Sequence, residues 1–217
     1  MSALLGTANS LQNILDKLRG LDFLGPLALR LYLAPIFIAV GLHKFMHIED
    51  IASWFGNPDW GLGLPAPTLM AYLAAATELF GGIALLFGAA VRWLAIPLMI
   101  TMLVAIFAVH WDQGWFVVAP GNPETSTAKP LAALGIGAAK RSLENSEEVG
   151  KRLIAAKSLM KKHGDYDWLS EKGSFAVLNN GIEFAATYFI MLLVLFFTGA
   201  GKYLSIDYWL HKAFREK

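Results

Sequence analysis

The chain has 217 residues and a formal net charge of +1; it is 56% hydrophobic, only 16% charged, and has a mean hydropathy of +0.49. This composition is too apolar for a soluble domain of this length and indicates a membrane protein. The small net charge gives no reason to expect nucleic acid as a partner, and the absence of cysteine excludes disulfides, thiolate metal sites and cysteine-ligated iron–sulfur clusters within the chain.

The predicted elements are led by four apolar runs, each of about 20 residues, which is long enough at 1.5 Å per residue to cross a hydrocarbon core about 30 Å thick. These predicted transmembrane helices are 27–46, 68–87, 93–110 and 181–200. A short amphipathic segment precedes them, and no cleaved signal peptide is predicted there. Its apolar face is formed by Leu11, Ile14, Leu15 and Leu18.

The first two runs are joined by a loop rich in glycine and proline that also holds Trp54 and Trp60. The second and third runs are joined by a tight turn at 88–92, so the two helices must be antiparallel neighbours.

A polar connection, 111–179, separates the third and fourth runs and is too long to be a bare loop. Within it, 144–163 is predicted as an amphipathic helix that ends at Gly164. Its apolar stripe is Val149, Leu153, Ala156 and Met160. We interpret this helix as lying on the membrane surface or over the bundle, with docking of a partner protein as the alternative.

The fold class predicted from these elements is an all-α membrane protein. A four-helix transmembrane bundle forms one domain, 1–217, with a polar and partly helical insertion between helices three and four. Lysine and arginine occur at both chain ends and at Arg92, whereas the loop after Lys44 has neither residue up to the second helix. This distribution predicts cytoplasmic N- and C-termini and a periplasmic insertion.

One carboxylate lies inside the second run. Glu78 is about 15 Å deeper than Thr68 by helical rise. A charged side chain at a helix centre costs about 2.5–3.5 kcal/mol on insertion scales, so Glu78 needs a partner or a function. The predicted topology brings other polar groups to the outer ends of the helices, which predicts an outward-facing polar pocket with Glu78 at its floor. These groups are His43, Lys44, His47, His110 and Glu183.

Each of these polar groups also has a structural explanation. Glu78 could form a buried ion pair with Lys44 or Arg30 that fixes the bundle without chemistry. Glu183 follows Asn180 by three residues, the spacing of a capping arrangement. His43 and His47, spaced i and i+4, could bind a metal together with His110. Histidines at a helix end more often face the interface, so no metal site is predicted.

The sequence contains a set of short motifs along its whole length: Arg30, Gly41-Leu42-His43-Lys44-Phe45, Glu78-Leu79-Phe80-Gly81-Gly82, Arg92, His110 and Gly199-Ala200-Gly201-Lys202-Tyr203-Leu204-Ser205-Ile206-Asp207. In combination these motifs resemble those of the DoxX family of four-helix membrane proteins. The resemblance covers all four predicted spans, although the insertion is longer than the family pattern. It implies a four-helix bundle in the bacterial inner membrane. It also implies an association with redox work, since members resemble the small subunit of thiosulfate:quinone oxidoreductase and others are linked to thiol and oxidative-stress systems.

The predicted function is that of a membrane subunit of a redox system that interacts with quinone and a partner oxidoreductase. Quinone reduction takes two electrons and two protons, so Glu78, His110 and Lys44 are the candidate proton-handling, catalytic residues. The candidate quinone-binding residues are Arg30, Lys44, Glu78 and His110, the positions that match the family motifs. Electrons must come from elsewhere, and whether the chain itself is an enzyme stays open.

Two other functions stay open. The chain could be a non-enzymatic membrane anchor or assembly partner that binds a soluble redox or periplasmic protein through 111–179. It could also transport a small solute or metal, with the acidic and histidine side chains lining a path. Four short helices are few for a monomeric transporter, so this last function would require a homo-oligomer.

Overall fold

The structure, a computed structural model, describes residues 9, 12, 13 and 15–215. Helices account for 75% of it, and no strand is present among these residues, which contain one isolated bridge between Val118 and Leu178. The all-α class is therefore confirmed. Leu11 and Ile14 of the predicted amphipathic lead-in lie outside the described residues.

The α-helices of the described residues are α1 (Leu24–Met46), α2 (Ile48–Gly56), α3 (Pro67–Phe87), α4 (Val91–Val104), α5 (Ala128–Ala133), α6 (Gly137–His163), α7 (Tyr166–Ser170), α8 (Glu183–Thr198) and α9 (Ile206–Arg215). Helix α4 continues as a π-helical segment, Ala105–His110, and then as a 3-10 turn, Trp111–Gln113. Further 3-10 turns lie at Leu18–Leu21 and Pro123–Thr125.

Three of these helices are long and apolar enough to cross a membrane: α1, α3 and the continuous run Val91–Gln113. They correspond to the first three predicted spans, so the chain is a multi-pass membrane protein. The fourth predicted span is helical, but α8 has only 16 residues. It rises about 24 Å, which is less than the hydrocarbon thickness of about 30 Å, and the predicted count of four spans is not confirmed.

The described residues form two compact units. The first runs to Thr101 and resumes at Phe189; the second is Met102–Tyr188. In the first unit, α1 and α3 pack closely because glycines lie at their contact. A methyl group at Gly41 would overlap the backbone of Leu79, and one at Gly82 would lie 2.8 Å from the amide nitrogen of Ile38. These two glycines allow the two helix backbones to touch.

The buried side of α3 explains why Glu78 lies inside the packed region. Its buried residues include Ala71, Ala75, Glu78, Gly82 and Leu85. Their spacing alternates between four and three, which places them on one stripe of the helix. Most are small, so α1 approaches closely, and Glu78 is the one charged member of this stripe.

The second unit is built on α6, which ends at His163 before Gly164 as predicted but begins seven residues earlier than predicted, at Gly137 rather than 144. Small residues open this helix, and their weak apolar pattern gives little sign of its start. Of the predicted stripe, Val149 is buried, whereas Ala156 is exposed. Helix α6 is therefore only partly covered along that stripe.

Helix α2 lies where the sequence predicted only a loop. The helical segment holds Trp54, and the non-helical connection begins at Asn57. Ile48, Ile51 and Phe55 share one helical face, and Phe55 is buried. The run of nine residues is short, which hid this pattern behind the glycines and prolines that follow.

Candidate functional site

Lys44 and Glu78 form a buried ion pair between α1 and α3. The Nζ atom of Lys44 lies 2.6 Å from each carboxylate oxygen of Glu78. The side chain of Glu78 is 3% exposed and that of Lys44 is 21% exposed. Lys44 therefore reaches from the edge of the helix contact to a carboxylate inside it.

The two oxygens of Glu78 differ in their surroundings. Oε1 accepts a hydrogen bond from Nζ of Lys44. Oε2 is close enough to the ammonium to attract it, but it has no hydrogen-bond partner of acceptable geometry among the described residues. A buried carboxylate oxygen without a directed hydrogen bond is uncommon in proteins. Oε2 is therefore held by the charge of the Lys44 ammonium alone.

The Lys44–Glu78 pair is positioned by the close packing of the two helices that carry it. Gly41, one helical turn before Lys44, lets the backbone of α1 touch that of Leu79, directly beside Glu78. The two charges are therefore held in contact by helix packing. The structure selects Lys44 over Arg30 from the two partners that the sequence left open.

Arg30 lies in the first unit among the ends of other helices. It is 1% exposed, and its guanidinium donates four hydrogen bonds to backbone carbonyl oxygens. The distances to the acceptors are 2.7 Å to Leu85, 3.0 Å to Leu86, 2.6 Å to Ala200 and 3.1 Å to Leu204. The last carbonyls of a helix lack partners within the helix, and Arg30 supplies them for α3. In this arrangement Arg30 holds segments that are far apart in sequence.

Gly88 makes room for the Arg30 guanidinium. It ends α3 with φ +68°, a conformation that favours glycine, and a methyl group there would lie 2.6 Å from the guanidinium carbon.

Lys202 follows the Arg30 acceptor Ala200 by two residues and is exposed. Its hydrogen bond and ion pair with Asp22, at 2.8 Å, raise the pKa of Lys202.

The acidic end of the C-terminal motif has a structural use that the sequence did not reveal. Asp207 accepts hydrogen bonds from the amides of Ala90, at 2.6 Å, and Val91, at 2.9 Å, at the start of α4. A carboxylate at a helix N-terminus satisfies free amides and interacts favourably with the helix dipole. Ser205 accepts from the amide of Tyr208 and so caps α9. In the sequence, these two capping roles were indicated only by the fact that both residues belong to the Gly-x-Gly-Lys-Tyr-x-Ser-x-Asp motif.

The candidate histidines lie in different units. His43 and His47 are stacked at the end of α1, with ring centroids 4.3 Å apart, and Nδ1 of His47 donates to the carbonyl of His43 at 2.9 Å. His110 belongs to the second unit, where it ends the π-helical segment. No group of three or more side chains of metal-binding type is present among the described residues.

Glu183 begins α8, as predicted. Its side chain does not form the predicted capping interaction with Asn180. Its Oε2 atom accepts a hydrogen bond from the amide of Val117 at 3.0 Å. The partner of Glu183 is therefore 66 residues away, beyond the reach of a local sequence pattern.

A groove of about 530 Å³ lies between α2 and the start of α3 in the first unit. Ile48, Ala52, Pro67 and Tyr72 are among the residues that line it, whereas neither Lys44 nor Glu78 does. The predicted pocket with Glu78 at its floor therefore stays a prediction, distinct from this groove.

Comparison with known proteins supports the family resemblance. Residues 25–111 match the model of the DoxX family. The chain is also 38% identical over 86 residues to the Bacillus subtilis (strain 168) protein named "Putative oxidoreductase CatD". That match covers 40% of this chain and 60% of the relative, less than two thirds of the relative's length. No solved structure matches the chain.

Proposed function

We propose that the chain is the membrane subunit of a redox system and that the Lys44–Glu78 pair handles protons for a bound quinone; the match of residues 25–111 to the DoxX family model supports this proposal. The observation that carries this proposal is the buried pair itself. It is placed in a contact otherwise formed mainly by small and apolar side chains. A purely structural contact of this kind would need no charge, since removing charges from hydrocarbon is favourable.

The two residues suit different parts of proton handling. When bound, a quinone supplies a two-electron acceptor that takes up two protons as it is reduced. Lys44 is the more exposed partner and would donate a hydrogen bond to a carbonyl oxygen of that ring. Glu78, as the carboxylate, would hold the Lys44 ammonium in place, and a proton that Lys44 gives up would be replaced from water at the exposed side of Lys44. The undirected Oε2 of Glu78 is the feature of this chain that fits a further hydrogen-bonding group.

The electrons would come from a partner oxidoreductase, because the chain has no cysteine to form a redox dithiol or to ligate an iron–sulfur cluster. We assign Arg30 to holding the bundle, since four backbone carbonyls already engage its guanidinium. His110 stays a candidate proton donor on the second unit.

Binding of a quinone to the purified full-length chain tests the proposal. A short-chain ubiquinone or menaquinone analogue is titrated in detergent into the wild type, into the double variant Lys44→Met/Glu78→Gln, and into Lys202→Met. Lys202 also belongs to an ion pair, but an exposed one, so this variant is the matched control. The wild type and control should bind and the double variant should not. No binding by the wild type, or equal binding by the double variant, would reject the proposal.

We further propose that α8 is a short fourth span, which places both chain ends on the cytoplasmic side of the bacterial inner membrane and the insertion in the periplasm. The absence of native cysteine allows single cysteines to report topology. In intact cells, Ser158→Cys should react with a membrane-impermeant maleimide, whereas His211→Cys should react only after permeabilisation. Reaction of both from outside would mean that α8 does not cross.

A second function, recruitment of a soluble protein by the insertion, is supported by one feature of α6. Its side chains Ile154 and Leu159 are 71% and 62% exposed, in a helix that is otherwise rich in charge. Exposed apolar side chains of this size favour contact with another surface. Deleting 144–163 should abolish co-purification of a partner oxidoreductase while the first unit stays folded. Unchanged co-purification would reject recruitment through α6.

A further inference from the structure

The second unit contains an apolar cavity of about 310 Å³ that none of the proposed redox roles uses. This volume is at the lower end of the range of about 300–1,000 Å³ for small-molecule sites. Its largest apolar lining side chains are Trp111, Trp115, Phe116, Leu131, Ile136 and Ile182. The cavity therefore offers an apolar surface to a ligand smaller than a two-chain phospholipid.

The walls of the cavity are fixed by hydrogen bonds. The amide of Trp115 donates to Oγ of Ser142 on α6 at 3.0 Å, and the carbonyl of Trp115 accepts from the amide of Glu183 at 2.9 Å. On the same segment, the carbonyl of Gly114 accepts from the amide of Ile182 at 3.0 Å. The segment beside the cavity is thus held on two sides. A site whose walls are already in place loses little conformational entropy when it binds.

The polar side chains that line the cavity differ in whether they can bind a ligand. Ser142 is 1% exposed, and its hydroxyl group both accepts from Trp115 and donates to the carbonyl of Ala138 at 2.9 Å. Arg141 is the charged lining residue, and its side chain is 38% exposed. Its contact with Asp112 is long, at 3.4 Å, and Asp112 is 92% exposed, so solvent weakens the pair. The guanidinium also lies over the ring of Trp111, 5.8 Å from its centroid, which holds Arg141 beside the cavity. A buried carboxylate could therefore replace the exposed Asp112 as the anionic partner of Arg141.

The source of the ligand follows from where the lining residues come in the chain. Trp111 belongs to the membrane-crossing run Val91–Gln113, and Ile182 directly precedes α8. Tryptophan at the end of a span is typical of the membrane–water interface. A ligand at this position would be drawn from the bilayer rather than from bulk water.

We propose that this cavity binds a single-chain anionic amphiphile, such as a fatty acid, with its apolar chain among the aromatic and aliphatic side chains and its carboxylate at Arg141. Guanidinium and carboxylate groups form short, charge-assisted and often bidentate hydrogen bonds, which suits this pairing. The cavity excludes a second chain by its volume. This inference is independent of the quinone proposal, since it uses other residues in the other unit.

Tryptophan fluorescence of the full-length chain in detergent provides the test. The probe is ω-bromoundecanoate, because bromine quenches tryptophan on contact and Trp111 and Trp115 line the cavity. Quenching should saturate and should be reversed by unbrominated undecanoate. Quenching that never saturates, or that undecanoate does not reverse, would show only partition into the micelle and would overturn the proposal.

Two pairs of variants localise the binding. Ala138 is exposed and lines the cavity, so Ala138→Phe should fill it and remove the competable quenching; Ala133→Phe, at an exposed position outside the lining, should not. Arg141→Gln should weaken the binding of the anionic probe about tenfold and leave that of neutral ω-bromoundecanol unchanged, since a hydrogen bond between charged groups is lost. Arg152→Gln, on the exposed side of α6, is its control.

Three results would overturn the assignment. Competable quenching that survives in Ala138→Phe would place the site elsewhere. Equal losses for the anionic and neutral probes in Arg141→Gln would remove the role of the charge. Competition by 2-naphthoate but not by undecanoate would make the ligand an aromatic acid instead of an acyl chain. Thermal unfolding of each variant establishes that it is folded before its binding is compared.

Discussion

The Lys44–Glu78 pair predicts that removing one of its two residues lowers stability much more than removing both. At 2.6 Å and an effective dielectric constant of about 20, the attraction between the charges is about 6 kcal/mol. Most of this is offset by the several kcal/mol that each charge loses on leaving water. The net effect of the intact pair on stability is therefore small, but a single buried charge without its partner is costly.

Removing one partner should destabilise the chain by about 3–5 kcal/mol, whereas replacing both should cost much less. For a protein of this size, about 1 kcal/mol corresponds to roughly 2–4 °C in the melting temperature, so Lys44→Met alone should melt about 6–20 °C below the wild type. The double variant Lys44→Met/Glu78→Gln should melt close to the wild type.

Thermal unfolding in one detergent, followed by the loss of tryptophan signal, measures this difference. Lys202→Met serves as the control, because its ion pair with Asp22 is about half exposed at both side chains and should leave the melting temperature unchanged. If Lys44→Met melts with the control, the pair is not buried as described. If the double variant melts as low as the single variant, the pair stabilises the fold outright and its charges need no functional explanation.

Three further predictions concern the first unit, each measured by the same melting assay. Arg30→Gln should lower stability by about 3 kcal/mol or more, because it removes hydrogen bonds from a charged donor to buried carbonyls; a melt equal to the wild type would contradict the role of Arg30 as a tie between helix ends. Gly41→Ala should cost about 1–3 kcal/mol, since its methyl group would overlap the backbone of Leu79, and no loss would mean that α1 and α3 do not touch there. Asp207→Ala should cost about 1–2 kcal/mol through the lost cap of α4, while Asp207→Asn should recover part of it; equal losses would argue against capping.

Sequence periodicity predicted the parts of this fold that repeat along one helix. The ends of α1 and α3 agree with the predicted runs within three residues, because apolar runs stop at polar and glycine-rich segments. The fourth run was overestimated at both ends, since Gly181 and Ala200 are apolar enough to extend a hydropathy run but lie outside the helix. Apolar composition marks membrane affinity better than it marks helix ends.

The Lys44–Glu78 ion pair was predictable in its two residues and less so in its geometry, whereas the predicted roles of the site residues stay predictions. The cost of a buried carboxylate identified Glu78 without a structure, and Lys44 was one of two expected partners. Local spacing could not show whether Lys44 or Arg30 is the partner of Glu78. The partner depends on the register of the two helices, that is, on which residues of α1 lie opposite Glu78 of α3. This register is set by the close contact of Gly41 with Leu79, two residues whose proximity only the folded chain reveals.

The hydrogen bonds of Arg30 also place a constraint on biogenesis. Its acceptors at Ala200 and Leu204 are 170 and 174 residues later in the chain. At about 5–20 residues per second, a ribosome needs roughly 9–35 s to add that length. During this interval the Arg30 guanidinium can have only two of its four acceptors, the carbonyls of Leu85 and Leu86. The inserting chain must therefore satisfy the remaining donors with water, lipid headgroups or the insertion machinery until Ala200 and Leu204 arrive.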